Sequence, residues 1–147
     1  MDLQELSDRM EIRDLVTAYT RAVDTRNWDA LDEVFTSDAV LDYSTVGGPV
    51  NSLNVVKPWI EQGLRGFDRY QHVIGQIAIE LPAGGQAQVG DTARATAYLV
   101  NPMVAKAPDG TETLWEVGGY YHHDLVRTPD GWRSRRMVDE LIWQCGF

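Results

Sequence analysis

The chain has three histidines. One of them, His72 in "RYQHVIGQ", stands where the residue pattern reads as a β-strand. Histidine is the side chain that titrates unperturbed between pH 5 and 8. A histidine facing a cavity is therefore a natural proton carrier. The chemistry it allows is removal of a proton beside an electron-withdrawing group, helped by a carboxylate that fixes the ring's tautomer and raises its basicity. Asp24 is the candidate carboxylate. It closes a helical pattern, where the macrodipole disfavours an anion, and it gains from a neighbouring imidazole. A solvated turn residue in "DTRN" is the plainer reading, and it stays open.

Strand parity tests whether His72 can face inward. Val73, Ile77, Ile79 and Leu81 share one parity, and His72 falls on the other with Gln76, Ala78 and Glu80. Yet Tyr70, His72 and Ile74 also form a plausible inward row. One extra residue at Gly75 would swap the faces and reconcile both rows. A bulge at Gly75 is thus expected, with an outward-facing His72 as the alternative.

His122 and His123 are neighbours, so only one can face a pocket. Tyr121, His123 and Leu125 share a face, and Leu125 marks it as apolar. His123 is therefore the one expected to face inward, toward a pocket or, equally, as a buried structural histidine. Tyr19 and Tyr43 can donate hydroxyl hydrogen bonds, in a site or in a core. Asn101 lies in "ARATAYLVNPMVA" on the face of Ala93, Ala95, Ala97 and Met103. A polar group among small residues needs a partner or water, which suggests a cavity. Trp115 and Trp143 are candidate pocket walls, although core packing explains a tryptophan as well.

Other chemistries lack their residues. The sequence contains no His-x-His, Cys-x-x-Cys or His-Glu-x-x-His, and adjacent histidines on a strand diverge, so no metal is expected. No glycine-rich phosphate loop follows a strand and no nucleophile elbow appears, so no cofactor is expected. The formal net charge of −9 argues against nucleic acid and anionic membrane as partners. The single cysteine, Cys145, can form no intrachain disulfide. The charged start "MDLQELSDRMEIRD" has no signal-like apolar run, and no stretch reaches the roughly 20 apolar residues of a membrane helix. A cytoplasmic protein is expected.

The positioning elements follow from periodicity. Ile12, Val16, Tyr19 and Val23 recur at helical spacing and give a first helix over about 25 residues. Asn27 can cap a second short helix with Trp28, Leu31 and Phe35 inward. "AVLDYS" reads as a strand with Leu41 and Tyr43 on one face, and "TVGGPVNS" as a loop. A helix over about 55–64 follows, with Pro58 fitting only its first turn. Four long β runs then fill the chain: "YQHVIGQIAIEL", "ARATAYLVNPMVA", "LWEVGGYYHHDLVRT" and "WRSRRMVDELIWQC". Strands this long need bulges, with Gly75 and the pair Gly118–Gly119 as candidates. At 147 residues a single domain over 1–147 is expected, of α+β class, with the helices on one face of a curved antiparallel sheet.

The order of elements resembles the SnoaL-like branch of the nuclear transport factor 2-like superfamily. "AYTRAVDTRNWDALDEVFTSDAVLDYS" is similar to that branch's opening helices and first strand, and "GGYYHHDLVRTPDGWRSRR" to its closing hairpin. The resemblance covers nearly the whole chain and implies a cone-shaped sheet wrapped around the N-terminal helices. Within the branch the pattern is similar to scytalone dehydratase, bile-acid 7α-dehydratase and hexachlorocyclohexane dehydrochlorinase. It implies a His-Asp dyad at His72 and Asp24, with Tyr19 and Tyr43 at tyrosine positions of the dehydratases. The superfamily's steroid isomerases carry an acid donor at about the position of His123, which implies that His123 polarises or protonates a substrate oxygen. Asn101 stands where the bile-acid enzyme has an acidic group, and Met103 near the second histidine of scytalone dehydratase. The departure at Met103 argues against a two-histidine activation of the leaving hydroxyl, and with it against scytalone as substrate.

The expected activity is a cofactor-independent, dehydratase-type elimination on a small, mostly apolar, hydroxylated cyclic substrate. Asp24, His72, Tyr19 and Tyr43 are the expected catalytic residues. Asn101, Met103, Tyr121, His123, Trp115 and Trp143 are the expected substrate contacts. A double-bond isomerase, a polyketide-cyclase-like enzyme, and a non-catalytic binding or assembly module on the same fold are the alternatives. The outer sheet face carries Tyr98, Val100 and Tyr120, so a homo-oligomer, dimer or trimer, is expected.

Overall fold

The computed structural model describes residues 1–86 and 88–146. Helix α1, Leu3–Asp24, starts where the Asp2 carboxylate accepts the Glu5 N–H at 2.8 Å. Its stripe of Ile12, Leu15, Val16, Tyr19, Ala22 and Val23 is buried, as the spacing requires. The chain turns away after Asp24, with Arg26 in the left-handed region at φ 56°.

The second helix differs from expectation. Trp28–Glu33 is a 3-10 segment, and the Asn27 side chain makes no capping bond. Leu31 is buried there, while Phe35 is buried as the first residue of β1, Phe35–Asp42. The expected loop contains a short strand, β2, Val50–Ser52, paired with β1. Helix α2 spans Leu53–Leu64, which places Pro58 in its second turn rather than its first. Pro58 withholds the N–H that would meet the Asn54 carbonyl, and Asn54 is exposed, so solvent can take that carbonyl.

The remaining strands are β3 (Arg69–Tyr70), β4 (Val73–Glu80), β5 (Thr92–Lys106), β6 (Glu112–Thr128) and β7 (Gly131–Cys145). The sheet order is β2-β1-β7-β6-β5-β3, with β4 also paired to β5. The sheet is mixed rather than wholly antiparallel, because β1 runs parallel to β7. A parallel pair needs a long crossover, and here most of the chain separates the two strands. The helices cover the concave face of this open, curved sheet, giving the α+β cone.

Bulges supply the curvature. Between Ile74 and Ile77, β4 advances three residues while β5 advances two, from Leu99 to Ala97. The extra residue falls at Gly75–Gln76. It keeps Tyr70 and Ile74 packed on the core before the bulge and Ile77, Ile79 and Leu81 after it. The shift at Gly118/Gly119 is also present, although the extra residue is on the partner strand, at Ile142.

The run from Tyr70 is not one strand. Pro102 on β5 has no N–H for the ladder. Its carbonyl takes the Gln71 N–H at 3.1 Å, and Gln71 and His72 lie in a gap between β3 and β4. His72 follows the bonded Gln71–Pro102 position, so by the alternation of an antiparallel ladder its N–H points away from β5 and is open to another acceptor.

Candidate active site

A cavity of about 600 Å³ opens between α1, α2 and the concave sheet. That is the size of a small-ligand site. Tyr19 and Val23 reach it from α1, Trp59 and Ile60 from α2, and Asn101, Met103, Tyr121, Asp139 and Leu141 from β5, β6 and β7. Tyr43 follows β1, and His72 enters from the gap between β3 and β4. Gly48 permits the aromatic wall, because a Cβ there would lie 2.5 Å from the Trp59 ring and 2.8 Å from the Tyr43 Cβ. Trp59 and Tyr43 pack with ring centroids 5.2 Å apart.

His72 and Asp24 meet at the side of this cavity. The Asp24 Oδ1 lies 2.6 Å from His72 Nδ1. The same carboxylate accepts the His72 backbone N–H at 3.0 and 3.2 Å. The His72 side chain is 5% exposed and that of Asp24 20%. With Nδ1–H given to Asp24, the lone pair of the ring is on Nε2. Tyr70 braces the pair: its hydroxyl donates to the Val23 carbonyl at 2.8 Å, and its ring meets that of His72 edge-on. The Arg26 guanidinium stacks over Tyr70.

A second polar group faces the cavity. The hydroxyls of Tyr19 and Tyr43 are hydrogen-bonded to each other, and Tyr121 packs edge-on against Tyr19. Burial pushes all three phenols well above their ordinary value, so they stay neutral and can donate. Asp139 on β7 lies beside them, and burial pushes its carboxyl up to about 7. Asn101 is 7% exposed, and its Oδ1 has no hydrogen-bond partner among the described residues.

Sequence reasoning missed Asp139. It shares parity with Met137 and Leu141 on β7, and an acid on an inward row was the available signal. Tyr70, Trp59 and Phe67 were also missed, because only the folded arrangement brings them to the site.

Three expected contacts lie elsewhere. His123 does face inward, but it sits beyond the cavity, where its Nδ1 meets Ser134 Oγ at 2.9 Å. Burial, with His122 adjacent, pushes it down to about 4, so it is neutral. Trp115 stands behind the wall, edge-on to Phe67 at 5.7 Å, and Phe67 faces the cavity. Trp143 lies on the outer face of the sheet, over Gly118, in a separate depression of about 290 Å³ with Tyr98, Val100 and Tyr120. The bulge at Ile142 changes the parity of β7 between Leu141 and Trp143 and turns Trp143 outward. His122 is on that outer face too, between Thr96 and Glu140.

Among the described residues no group of three or more His, Cys, Asp or Glu is placed to hold a metal ion. Nor is any helix there long and apolar enough to cross a membrane.

Comparison with known proteins agrees with this fold. The SnoaL-like domain family matches residues 4–138. The uncharacterised protein Rv2910c of Mycobacterium tuberculosis is 39% identical over 98% of this chain and 92% of its own. A solved structure from Novosphingobium aromaticivorans, provisionally named an aromatic ring hydroxylase, is 30% identical. It covers 97% of this chain and 94% of its own, with a TM-score of 0.79. A hexachlorocyclohexane dehydrochlorinase of LinA type 2 shares the fold at 15% identity and a TM-score of 0.79, over 100% of this chain and 93% of its own. From its residues 4–138 to its cone of helices and sheet, the chain belongs to the SnoaL-like domain family.

Proposed function

We propose that the protein is a cofactor-independent lyase that eliminates a small leaving group from a mostly apolar, hydroxylated cyclic compound. The observation that carries this reading is the His72–Asp24 pair at the wall of an aromatic cavity. Asp24 holds Nδ1–H, and Nε2 removes a proton from the carbon beside a carbonyl. The neutral hydroxyls of Tyr19, Tyr43 and Tyr121 hold the oxygen that becomes negative. Met103, Trp59 and Ile60 supply apolar contact. The dehydrochlorinase with the same fold performs an elimination by name, which supports the reaction type.

The same tyrosine cluster also suits an enolate that is reprotonated at another carbon, which is double-bond isomerisation. Product analysis separates the two: elimination releases the leaving group, whereas isomerisation conserves mass. The test is turnover of a panel of cyclic β-hydroxy ketones by the wild type and by His72→Gln. Alkene formation that depends on His72 supports elimination. Equal rates in both proteins would sink the dyad.

We infer further that the outer face of the sheet is covered by a second copy of the chain. Val73, Tyr98, Val100, Ile142 and Trp143 are each 38% or more exposed and share one depression. Light scattering of the wild type and of Tyr98→Glu checks this, with a lower mass expected for the variant.

A further inference from the structure

We propose that Asp139 and Asn101 form a leaving-group subsite that receives a substrate hydroxyl and releases it as water. The proposal rests on the elimination reading and adds to it the identity of the group that leaves. Beyond the main cavity lies a recess of about 30 Å³, and Asn101, Tyr121 and Asp139 line both spaces. Its other walls include Leu99, Val117 and Leu141. A recess of this size suits one water or one hydroxyl group, and only where polar partners are present.

The partners there match a hydroxyl in particular. The Asn101 Oδ1 is an acceptor, buried and without a hydrogen-bond partner among the described residues. Leaving such an atom unmatched costs about 1–3 kcal/mol, and a substrate O–H would satisfy it. Asp139 supplies the opposite need. Beside it stand the neutral hydroxyls of Tyr19 from α1, Tyr43 after β1 and Tyr121 from β6, and His72, its Nδ1 held by Asp24, lines the same cavity. None of the three hydroxyls carries a positive charge that would hold Asp139 ionised, and its carboxyl, pushed up to about 7, keeps a proton to give near neutral pH.

The step balances as follows. His72 Nε2 takes the proton from the carbon beside the carbonyl, and that C–H electron pair becomes the new C=C bond. The C–O bond to the hydroxyl breaks, with its pair going to oxygen, and that oxygen takes the proton of Asp139. The products are the alkene and one water, left in the recess. Imidazolium at His72 and carboxylate at Asp139 remain, and transfer of one proton between them through solvent restores the start.

The test uses 3-hydroxycyclohexanone and 3-chlorocyclohexanone, which both give 2-cyclohexenone, read by its ultraviolet absorbance. Departing chloride needs no proton, and departing hydroxide does. Asp139→Asn is expected to lower the hydroxy-to-chloro rate ratio about 100-fold, within the range for loss of a general acid. Asn101→Ala is expected to lower the same ratio about 10-fold. An Asp139→Asn variant that lowers both rates equally, or neither, overturns the subsite. His72→Gln should lower both rates, and its failure to do so counts against the dyad alone. A high-resolution crystal structure gives a second measurement, independent of turnover. One ordered water bonded to both Asn101 and Asp139 is expected, and a dry recess overturns the proposal even if neither ketone reacts.

Discussion

The backbone N–H and the ring Nδ1 of His72 both lie on the carboxylate of Asp24, at 3.0 and 2.6 Å. One acid thus fixes the position of the residue and the tautomer of its ring. The His72 N–H points away from β5, because Gln71 and Pro102 form the neighbouring hydrogen-bonded position, and the end of α1 brings the carboxylate to it.

Asp24→Asn should therefore change the tautomer of neutral His72. Long-range ¹H–¹⁵N spectra of the wild type are expected to show Nδ1–H, and those of the variant a mixture with Nε2–H. Turnover of a responsive substrate should fall about 100-fold or more, the usual scale for a compromised general base. An unchanged tautomer would show that Asp24 does not orient the ring.

Asp139 gives a stability prediction with a definite sign. Its folded-state value of about 7 is above the ordinary 3.8. The folded state binds the proton more tightly, so the contribution is fully present below about pH 4 and is lost as pH rises through 7. Between pH 5 and 8 the wild type should lose roughly 2 kcal/mol relative to Asp139→Asn. Urea denaturation of both proteins at the two pH values checks this, and parallel curves would contradict it.

Tyr43→Phe removes one hydroxyl of the bonded Tyr19–Tyr43 pair. The buried Tyr19 hydroxyl then keeps only the Tyr121 hydroxyl as a partner, at a cost of about 1 kcal/mol. Elimination should slow about 10-fold if the pair holds a developing oxyanion. Stability and rate are measured on the same preparation, and a stability loss with full activity would assign the pair a packing role only.

The bulge on β4 separates a tolerant change from a ruinous one. Gly75→Ala should be nearly silent, because its Cβ would approach nothing closer than 3.8 Å. Deleting Gly75 removes the extra residue and forces one of the two inward rows, Tyr70–Ile74 or Ile77–Leu81, onto the outer face. Thermal melts are expected to show less than about 1 kcal/mol for the first change and no cooperative transition for the second.

Asp8→Asn probes the end of the fold away from the cavity. Asp8 is fully buried, bonded to Arg127, Trp132, Gln4 and the Gln86 N–H. Burial pushes its carboxyl up, and these bonds outweigh that and hold it below the ordinary value. Removing one partner of a buried pair costs about 3–5 kcal/mol. Guanidinium denaturation should show that loss with the tautomer of His72 unchanged.

Much of the fold and part of the site are legible in the chain because they depend on period and composition. The helical stripe of α1, the small-residue row of β5 and the conflict of parity around His72 predict a helix, a concave strand and a bulge at Gly75. The structure contains all three. The candidates Tyr19, Asn101, Met103 and Tyr121 lie on one cavity because each is on an inward row of a regular element, and Tyr43 and His72 join them from just beyond the ends of β1 and β3. Where the sequence argument stopped at a face, it stopped short of a place. His123 is on the inward face but past the end of the cavity. Trp143 is on β7, whose parity is reset opposite Gly118–Gly119 by an extra residue, Ile142, on the strand that the glycines do not belong to.

What the sequence by itself determined, then, is which residues share a face, since local sterics and hydrophobic periodicity act between near neighbours. Only the tertiary structure decided what meets across faces. The 2.6 Å approach of Asp24 to His72 spans 48 residues of chain. The raised Asp139 carboxyl is likewise a property of the enclosure around it. Burial in low dielectric and the meeting of distant groups are three-dimensional quantities, and no local pattern encodes them.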